Sequence, residues 1–297
     1  MAIVSMRFPG GAGKAFTISY DDGVESDFRL ADLMRRYGIR GTFNINSGIK
    51  RILEDTPQTD LGEPRSRMNR TRFLEFFKQN RDLCEIAAHG LNHAWMTKME
   101  RSCIAWEVLA DRKNLETLLG VPCRGFAYPY GVFNDDAVEA LDVGGFLYAR
   151  TTKTTKSFDL PEDPLRWACT AKHTYSGLME LAEQFVALDT NSSKGSDRSP
   201  YLFSVWGHSY EFNMADNWDV IEKLFSCVGG RDDIWYCTNE EYFRYVRAYH
   251  SLEFFADQSA VYNPTATPVC LSVMAKRSEP LLNVTVNPGE TVSFGGK

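Results

Sequence analysis

Two carboxylates in a row, Asp21 and Asp22, stand at the end of the run Ser19-Tyr20-Asp21-Asp22-Gly23. The preceding residues Ala15–Ser19 are apolar and β-favouring, Gly23 breaks the strand, and an amphipathic helical stretch runs from about Ser26 to Tyr37. Adjacent carboxylates at a strand's C-terminal end repel and lose hydration, so a cation or a reacting proton is the expected compensation. The alternative is a plain Asp-Asp-Gly turn.

The histidines decide between these. Only five occur in 297 residues, and two of them form His89-Gly90-Leu91-Asn92-His93 after the apolar run Leu83–Ala88. His89 leaves a strand end and His93 follows four residues later, a spacing that lets two imidazoles converge on one metal ion. Together with a strand-terminal aspartate they make a two-histidine, one-carboxylate set with positions open for water and substrate. Two more strand ends carry chemistry. Arg124–Gly131 reads as a strand closed by a Pro129-Tyr130-Gly131 turn, which can aim a backbone N–H into a cleft as an oxyanion hole requires. Tyr201–His208 is an apolar strand that ends in a histidine, a side chain suited to general-acid work near neutrality.

In this order, Asp-Asp-Gly, His-x-x-x-His, Tyr-Pro-Tyr-Gly and a late Gly-His, the chain resembles the polysaccharide deacetylases of the NodB-homology group, carbohydrate esterase family four. The resemblance covers about Ala15 to Tyr245. It implies a distorted (β/α)7-8 barrel holding one divalent metal ion, zinc foremost, with Co2+, Ni2+, Fe2+ or Mn2+ as alternatives. It makes Asp21 the catalytic base, Asp22, His89 and His93 the metal ligands, His208 the general acid, and the Tyr130 N–H the oxyanion donor. The implied substrate is an acetylated poly- or oligosaccharide, cleaved at a sugar amide or ester.

The chain departs from the family pattern in its supporting residues. Ala127 stands where the third motif carries an arginine that orients the catalytic aspartate, leaving Arg124 as the nearest substitute. In the fourth motif Trp167 is kept, but Arg166 lies beside it, leaving Asp163 as the candidate orienter of His208. Tyr128, Trp206, Arg124 and Trp167 are the expected substrate-facing residues, with Tyr210 and Trp95 as further stacking candidates. These departures keep two other readings open: a different C–N hydrolase of deformylase or cyclic-amide type, and a carbohydrate-binding protein that has lost turnover. For His173 a helix-cap or surface role is expected, and His250 should close the last long helix, where a cation suits the dipole.

Strand-like and helical runs alternate from about Ala15 to His250, which is the α/β pattern, and the length suits one barrel of roughly 200–250 residues plus an appendage. Further strands are expected at Gly41–Asn46, Phe146–Ala149, Trp167–Thr170 and Ile234–Cys237, and a helix over Thr97–Leu119. The polar stretch Ser47–Asn69 is long for a connection and suits a lid or an unstructured loop. Asn191–Asp197 reads as a flexible loop. Beyond His250 the pattern becomes β-rich: Val269–Val273 and Leu282–Val286 alternate as strands, with Asn287-Pro288-Gly289-Glu290 as the turn of a hairpin. Residues 1–250 are thus assigned to the barrel and 251–297 to a small β appendage, read first as a structural cap.

A net charge of −6 without a basic block argues against a nucleic-acid partner, and no run is long and apolar enough for a membrane span. The seven cysteines lack metal-site spacing and fall mostly in apolar surroundings, so reduced buried thiols are expected. The first residues lack a signal-peptide pattern, which favours the cytoplasm; a secreted chain shorn of its signal would read the same.

Overall fold

Apolar runs rich in Phe, Ile, Val and Tyr form the inner strands, and amphipathic segments between them form the covering helices. The computed structural model describes residues 3–49, 52–54, 57, 62–190, 200–274 and 282–294; the loop expected at 191–197 lies outside them. In chain order the elements are β1 (Ile3–Arg7), β2 (Lys14–Asp21), α1 (Asp27–Tyr37), β3 (Gly41–Ile45), α2 (Arg70–Asn80), β4 (Cys84–Ala88), α3 (Arg101–Leu119), β5 (Gly125–Ala127), α4 (Asp135–Val143), β6 (Tyr148–Thr154), β7 (Trp167–Cys169) and β8 (Ala171–Lys172). They continue with α5 (Leu178–Ala187), β9 (Tyr201–Gly207), α6 (Tyr210–Ala215), α7 (Asp219–Val228), β10 (Ile234–Tyr236), α8 (Asn239–His250), β11 (Glu253–Phe254), β12 (Ala260–Tyr262), β13 (Val269–Met274), β14 (Leu282–Val286) and β15 (Thr291–Ser293).

The main sheet has the order β7-β6-β5-β4-β3-β2-β9-β8, and its pairings are parallel. β2 is shared along its length: its first residues pair with β10 and its last, Ile18–Asp21, with β3. β7 and β8 are consecutive pieces of one segment, yet β7 pairs with β6 and β8 with β9. Trp167–Lys172 therefore borders both ends of the sheet, which curls into the expected distorted barrel. Thr170, between the two pieces, is tied to Ser204 of β9 by two hydrogen bonds of 3.0 and 3.2 Å. Parallel strands need crossovers, and the α-helices supply most of them. α1 buries Leu30, Ala31, Leu33 and Met34 on one face. α8 starts in a capping box between Thr238 and Glu241, with bonds of 2.9 and 3.2 Å. His250 is its last residue.

The helix expected from Thr97 begins at Arg101, because Met96–Lys98 form a separate 3-10 turn. The C-terminal strands form two small antiparallel sheets, β1-β13-β14 and β11-β12-β15. One strand of the first comes from the chain's other end: Ile3–Arg7 pairs with Cys270–Met274. The hairpin assignment needs correction. Asn287–Glu290 does turn, with the Glu290 N–H donating to the Asn287 carbonyl at 3.0 Å. It joins β14 to β15, however, and these lie in different sheets. A second apolar core, including Phe8, Trp167, Phe243, Val261 and Leu271, packs these sheets on the barrel. No α-helix among the described residues is long and apolar enough to cross a membrane.

Candidate active site

The motif residues gather where the parallel strands end. Asp21 closes β2 and Asp22 follows it; His89 follows β4, and His208 follows β9. Parallel barrels present their reactive side chains at this end of the strands.

Ligand atoms of Asp22, His89 and His93 lie within 4.8 Å of one another. His89 is buried, and its Nδ1–H donates to the Ala127 carbonyl at 2.7 Å, which leaves Nε2 as the lone-pair nitrogen facing the cleft. Burial pushes the pKa of His89 down to about 4, against the pull of Asp21 and Asp22, so the ring is neutral near pH 7. Burial also lowers His93, again against Asp22. Two neutral imidazoles and a carboxylate form a donor set that fits a divalent transition ion and leaves coordination positions for other ligands. Asp22 is also gripped by Arg67, whose guanidinium meets Oδ1 at 2.5 Å and the backbone carbonyl at 2.6 Å. Arg67 arrives from the long Ser47–Asn69 connection, part of which therefore folds against the site.

The His89–His93 loop rests on a polar scaffold that the sequence reading missed. α3 sends in Glu107 and Asp111, one turn apart and both buried. Asp111 accepts from the backbone N–H groups of Ser47 at 2.7 Å and His89 at 3.0 Å. Glu107 accepts from the Asn92 backbone at 2.8 Å and its side chain at 2.7 Å. Asn46 donates to the His89 and Gly90 carbonyls. The signal in the sequence is two acids four residues apart on a helix face that otherwise buries Ile104, Val108 and Leu115.

Asp21 is held by an arginine from an unexpected strand. Ala127 pairs in register with Arg150 of β6, so both side chains leave the same face of the sheet. Arg150 is fully buried and donates to both Asp21 carboxylate oxygens, at 2.5 and 2.6 Å. Burial alone would raise the pKa of Asp21, but Arg150, His89 and His208 outweigh it and hold it at about 2. The arginine absent at 127 is thus supplied one strand over. Its trace is an arginine inside the strand-like run Tyr148–Thr154. Arg124 does not take this part: it precedes β5, at the opposite end of the sheet, and its Nε–H donates to the Gly145 carbonyl at 2.6 Å.

His208 Nε2 lies 3.9 Å from Asp21 Oδ2, and its Nδ1 lies 3.5 Å from Glu211 Oε2. Burial disfavours the imidazolium, but Glu211, Asp21 and Asp22 outweigh it and raise the pKa. Asp163, expected in the orienting place, accepts instead from its own Leu165 N–H and pairs with Arg166. Glu211, on the turn of helix after His208, occupies that place. His173 is buried rather than a surface or capping residue, and it shares Glu211.

The Pro129–Gly131 turn sits against the metal-ligand set. The Tyr130 ring meets His93 edge-on at 4.5 Å and stacks on Trp95 at 4.6 Å. Tyr130, Asp22 and His93 all have positive φ, of 59°, 86° and 52°. Such backbone is costly for non-glycine residues and recurs at functional sites. Gly131, at φ +71°, also needs its missing side chain, since a Cβ would lie 2.0 Å from Thr152 Oγ1.

The structure does not bring the other expected substrate contacts to the cleft as open surfaces. Tyr128 is buried and donates its hydroxyl hydrogen to the Leu165 carbonyl. Trp167 is buried between Tyr148 and Phe243. Trp206 is buried too, with the Arg150 guanidinium 4.9 Å and the Lys172 ammonium 5.3 Å from its ring centre. Large aromatics at these positions pack the barrel; Trp95 and Tyr130 are the exposed ones.

Residues 10–149 match the family model for polysaccharide deacetylase. A bifunctional xylanase/deacetylase from Pseudobutyrivibrio xylanivorans is 24% identical over 136 residues, 44% of this chain and 19% of that protein. The chain thus spans about a fifth of the length of that curated relative. Among solved structures, a Mycobacterium smegmatis protein described as a polysaccharide deacetylase superposes with a TM-score of 0.55 at 16% identity, over 83% of this chain and 94% of the other. The CE4 domain of a multidomain xylanase from the hindgut metagenome of Trinervitermes trinervoides gives 0.50 at 15% identity, over 78% and 90%. These two likenesses are of fold. The match to the polysaccharide deacetylase model thus covers a little under half of the chain, and the Asp-Asp-Gly and His-x-x-x-His positions both fall within it.

Proposed function

We propose that this protein removes acetyl groups from an N-acetylated, or alternatively O-acetylated, poly- or oligosaccharide with the help of one divalent metal ion. The observation that carries the reading is the convergence of Asp22, His89 and His93 with Asp21 and His208 beside them. Asp22, His89 and His93 would hold the ion, zinc or a related transition metal, which when bound polarises an acetyl carbonyl and acidifies water.

The chain's own residues do the rest. Asp21 stays ionised at neutral pH because Arg150 and the histidines favour its charge, so it can accept the proton that the attacking water releases. Its low proton affinity demands water that is already acidified. The Tyr130 N–H, on the turn beside His93, is the donor proposed for the charge that develops on the carbonyl oxygen. His208, with its raised pKa, carries the proton that the departing sugar amine takes up as the C–N bond breaks. Water supplies the oxygen of the released acetate, and proton count balances between Asp21 and His208.

Loss of turnover was suggested by Ala127 and Arg166. Arg150 on Asp21 and Glu211 beside His208 fill those roles, which supports hydrolysis over mere sugar binding. The test is metal analysis together with acetate release from chitooligosaccharides, peptidoglycan fragments and acetylated xylan. Asp22→Ala and His89→Ala should lose both metal and activity, whereas Asp21→Asn should keep the metal and lose turnover. Undiminished acetate release by Asp21→Asn, or by metal-stripped protein, would overturn the reading.

A further inference from the structure

We propose that His173 is a positioning residue for His208, acting through a carboxylate that the two imidazoles share. This rests on the reading of His208 as the proton donor. Glu211 Oε2 lies 3.0 Å from His173 Nε2 and 3.5 Å from His208 Nδ1, while Lys172 Nζ holds Glu211 Oε1 at 2.7 Å. Glu211 is therefore tied by Lys172 through one oxygen and flanked through the other by both imidazoles.

His173 is itself fixed on every side. Its ring stacks on Tyr20 with planes 16° apart, and Phe212 approaches at 4.3 Å. Gly207 provides the remaining space: a Cβ there would lie 2.0 Å from His173 Nδ1. The glycine just before His208 is thus explained by the histidine behind it. The Tyr20 hydroxyl lies 3.1 Å from His173 Nδ1. Burial keeps that phenol protonated, so it donates, and Nδ1 must accept. The hydrogen of a neutral ring then sits on Nε2, the nitrogen 3.0 Å from Glu211 Oε2. Burial favours this neutral form, lowering the His173 pKa against the pull of Glu211. The resulting chain, Tyr20 to His173 to Glu211 to His208, runs from the barrel interior to the cleft.

The other charged or titratable groups around His208 are Asp21, Asp22 and Tyr210, whose ring lies 5.0 Å away. They are untouched by changes at 173, so the two side-chain amides separate the two ring nitrogens. His173→Gln keeps an N–H donor near the Nε2 place and loses the Tyr20 contact. His173→Asn keeps a partner for Tyr20 and loses the donor to Glu211.

The experiment is an NMR titration of labelled histidine in the zinc-loaded variants, with the five histidines assigned by substitution. Acetate release against pH is followed in parallel. His173→Gln should leave the His208 midpoint near that of the parent. His173→Asn should lower it by about one pH unit, because Glu211 is no longer held toward the ring. The alkaline limb of kcat should move down in step, with KM and zinc content unchanged. Glu211→Gln, which removes the charge without removing bulk, should lower the midpoint at least as far. Equal midpoints in parent, Asn and Gln variants would overturn the proposal, as would an unmoved midpoint in Glu211→Gln. Absence of acetate release in the parent would instead remove the proposed function and leave the titration result standing.

Discussion

Arg150 and Asp21 form a two-pronged ion pair across the inside of the barrel, 129 residues apart in the chain. The guanidinium Nε–H also donates to Ser19 Oγ at 3.1 Å, which locks it beneath the end of β2. A buried charge pair of this kind is weak evidence for stability but strong evidence for orientation: each partner needs the other in one place.

Removing Arg150 leaves the buried Asp21 without its guanidinium, with the Asn44 amide as its remaining side-chain donor. Arg150→Ala should destabilise the protein by about 3–5 kcal/mol and abolish turnover. Because Ala127 shares a register position and a face with Arg150, the double change Ala127→Arg with Arg150→Ala should recover part of both. Calorimetry and acetate release at matched metal content check this, and no recovery in either would sink the idea of a transplanted arginine.

The metal loop should be sensitive to a residue that never touches the metal. Asp111 accepts two backbone N–H groups, one of them from His89. Asp111→Ala should weaken metal binding by about 10–100-fold, the range typical of lost outer-shell support. Competition with a chromophoric chelator measures it; affinity equal to the parent's would contradict the scaffold role.

The turn at Tyr130 offers a separate handle. Gly131→Ala drives a methyl into Thr152 and strains a left-handed backbone, so the turn must move away from His93. Turnover should fall more than tenfold with metal content retained. Adding Thr152→Ala should restore only part, since the positive φ still costs about 1 kcal/mol for a non-glycine residue.

The stability contributed by Asp27 and Asp111 should be lost as pH rises toward 8. Burial raises Asp27 to about 8 and Asp111 to about 7, despite the hydrogen bonds each accepts. Both keep protons in the folded state that the unfolded chain has already released, so unfolding gains as pH rises through that window. His89, His93 and His173, whose pKa values burial lowers, act in the opposite sense near pH 6.5, where the unfolded imidazoles still hold protons, so the comparison is made between parent and Asp27 variant. Asp27→Asn removes its share, and its melting temperature, followed in chelator, should fall less steeply than the parent's. An equally steep fall would contradict it. Asp21 works in the opposite sense, its contribution being lost as pH drops from about 4 through about 2.

The parts of the site legible from sequence are those fixed by local order. A strand end, a glycine and an acidic or histidine pair sit within a few residues, so Asp21, Asp22, His89, His93 and His208 could be placed at one mouth of the sheet. What escaped notice depends on register and long-range packing. Arg150 meets Asp21 only because β6 pairs with β5 so that 150 lies beside 127. His173 looks like a capping residue until Gly207 and Tyr20 close around it. Glu107 and Asp111 read as polar positions on a helix, and only the fold turns them inward. Tyr128, Trp167 and Trp206 failed as sugar platforms for the converse reason: large rings beside strand ends filled the barrel.

The pairing of β1 with β13 bears on any attempt to trim the protein. A fragment cut after the last long helix would leave Ile3–Arg7 as a naked strand edge, with Met6 deprived of its partner Leu271. Such a fragment invites clumping between molecules, so a workable minimal version must either discard the opening residues as well or keep both termini stitched together.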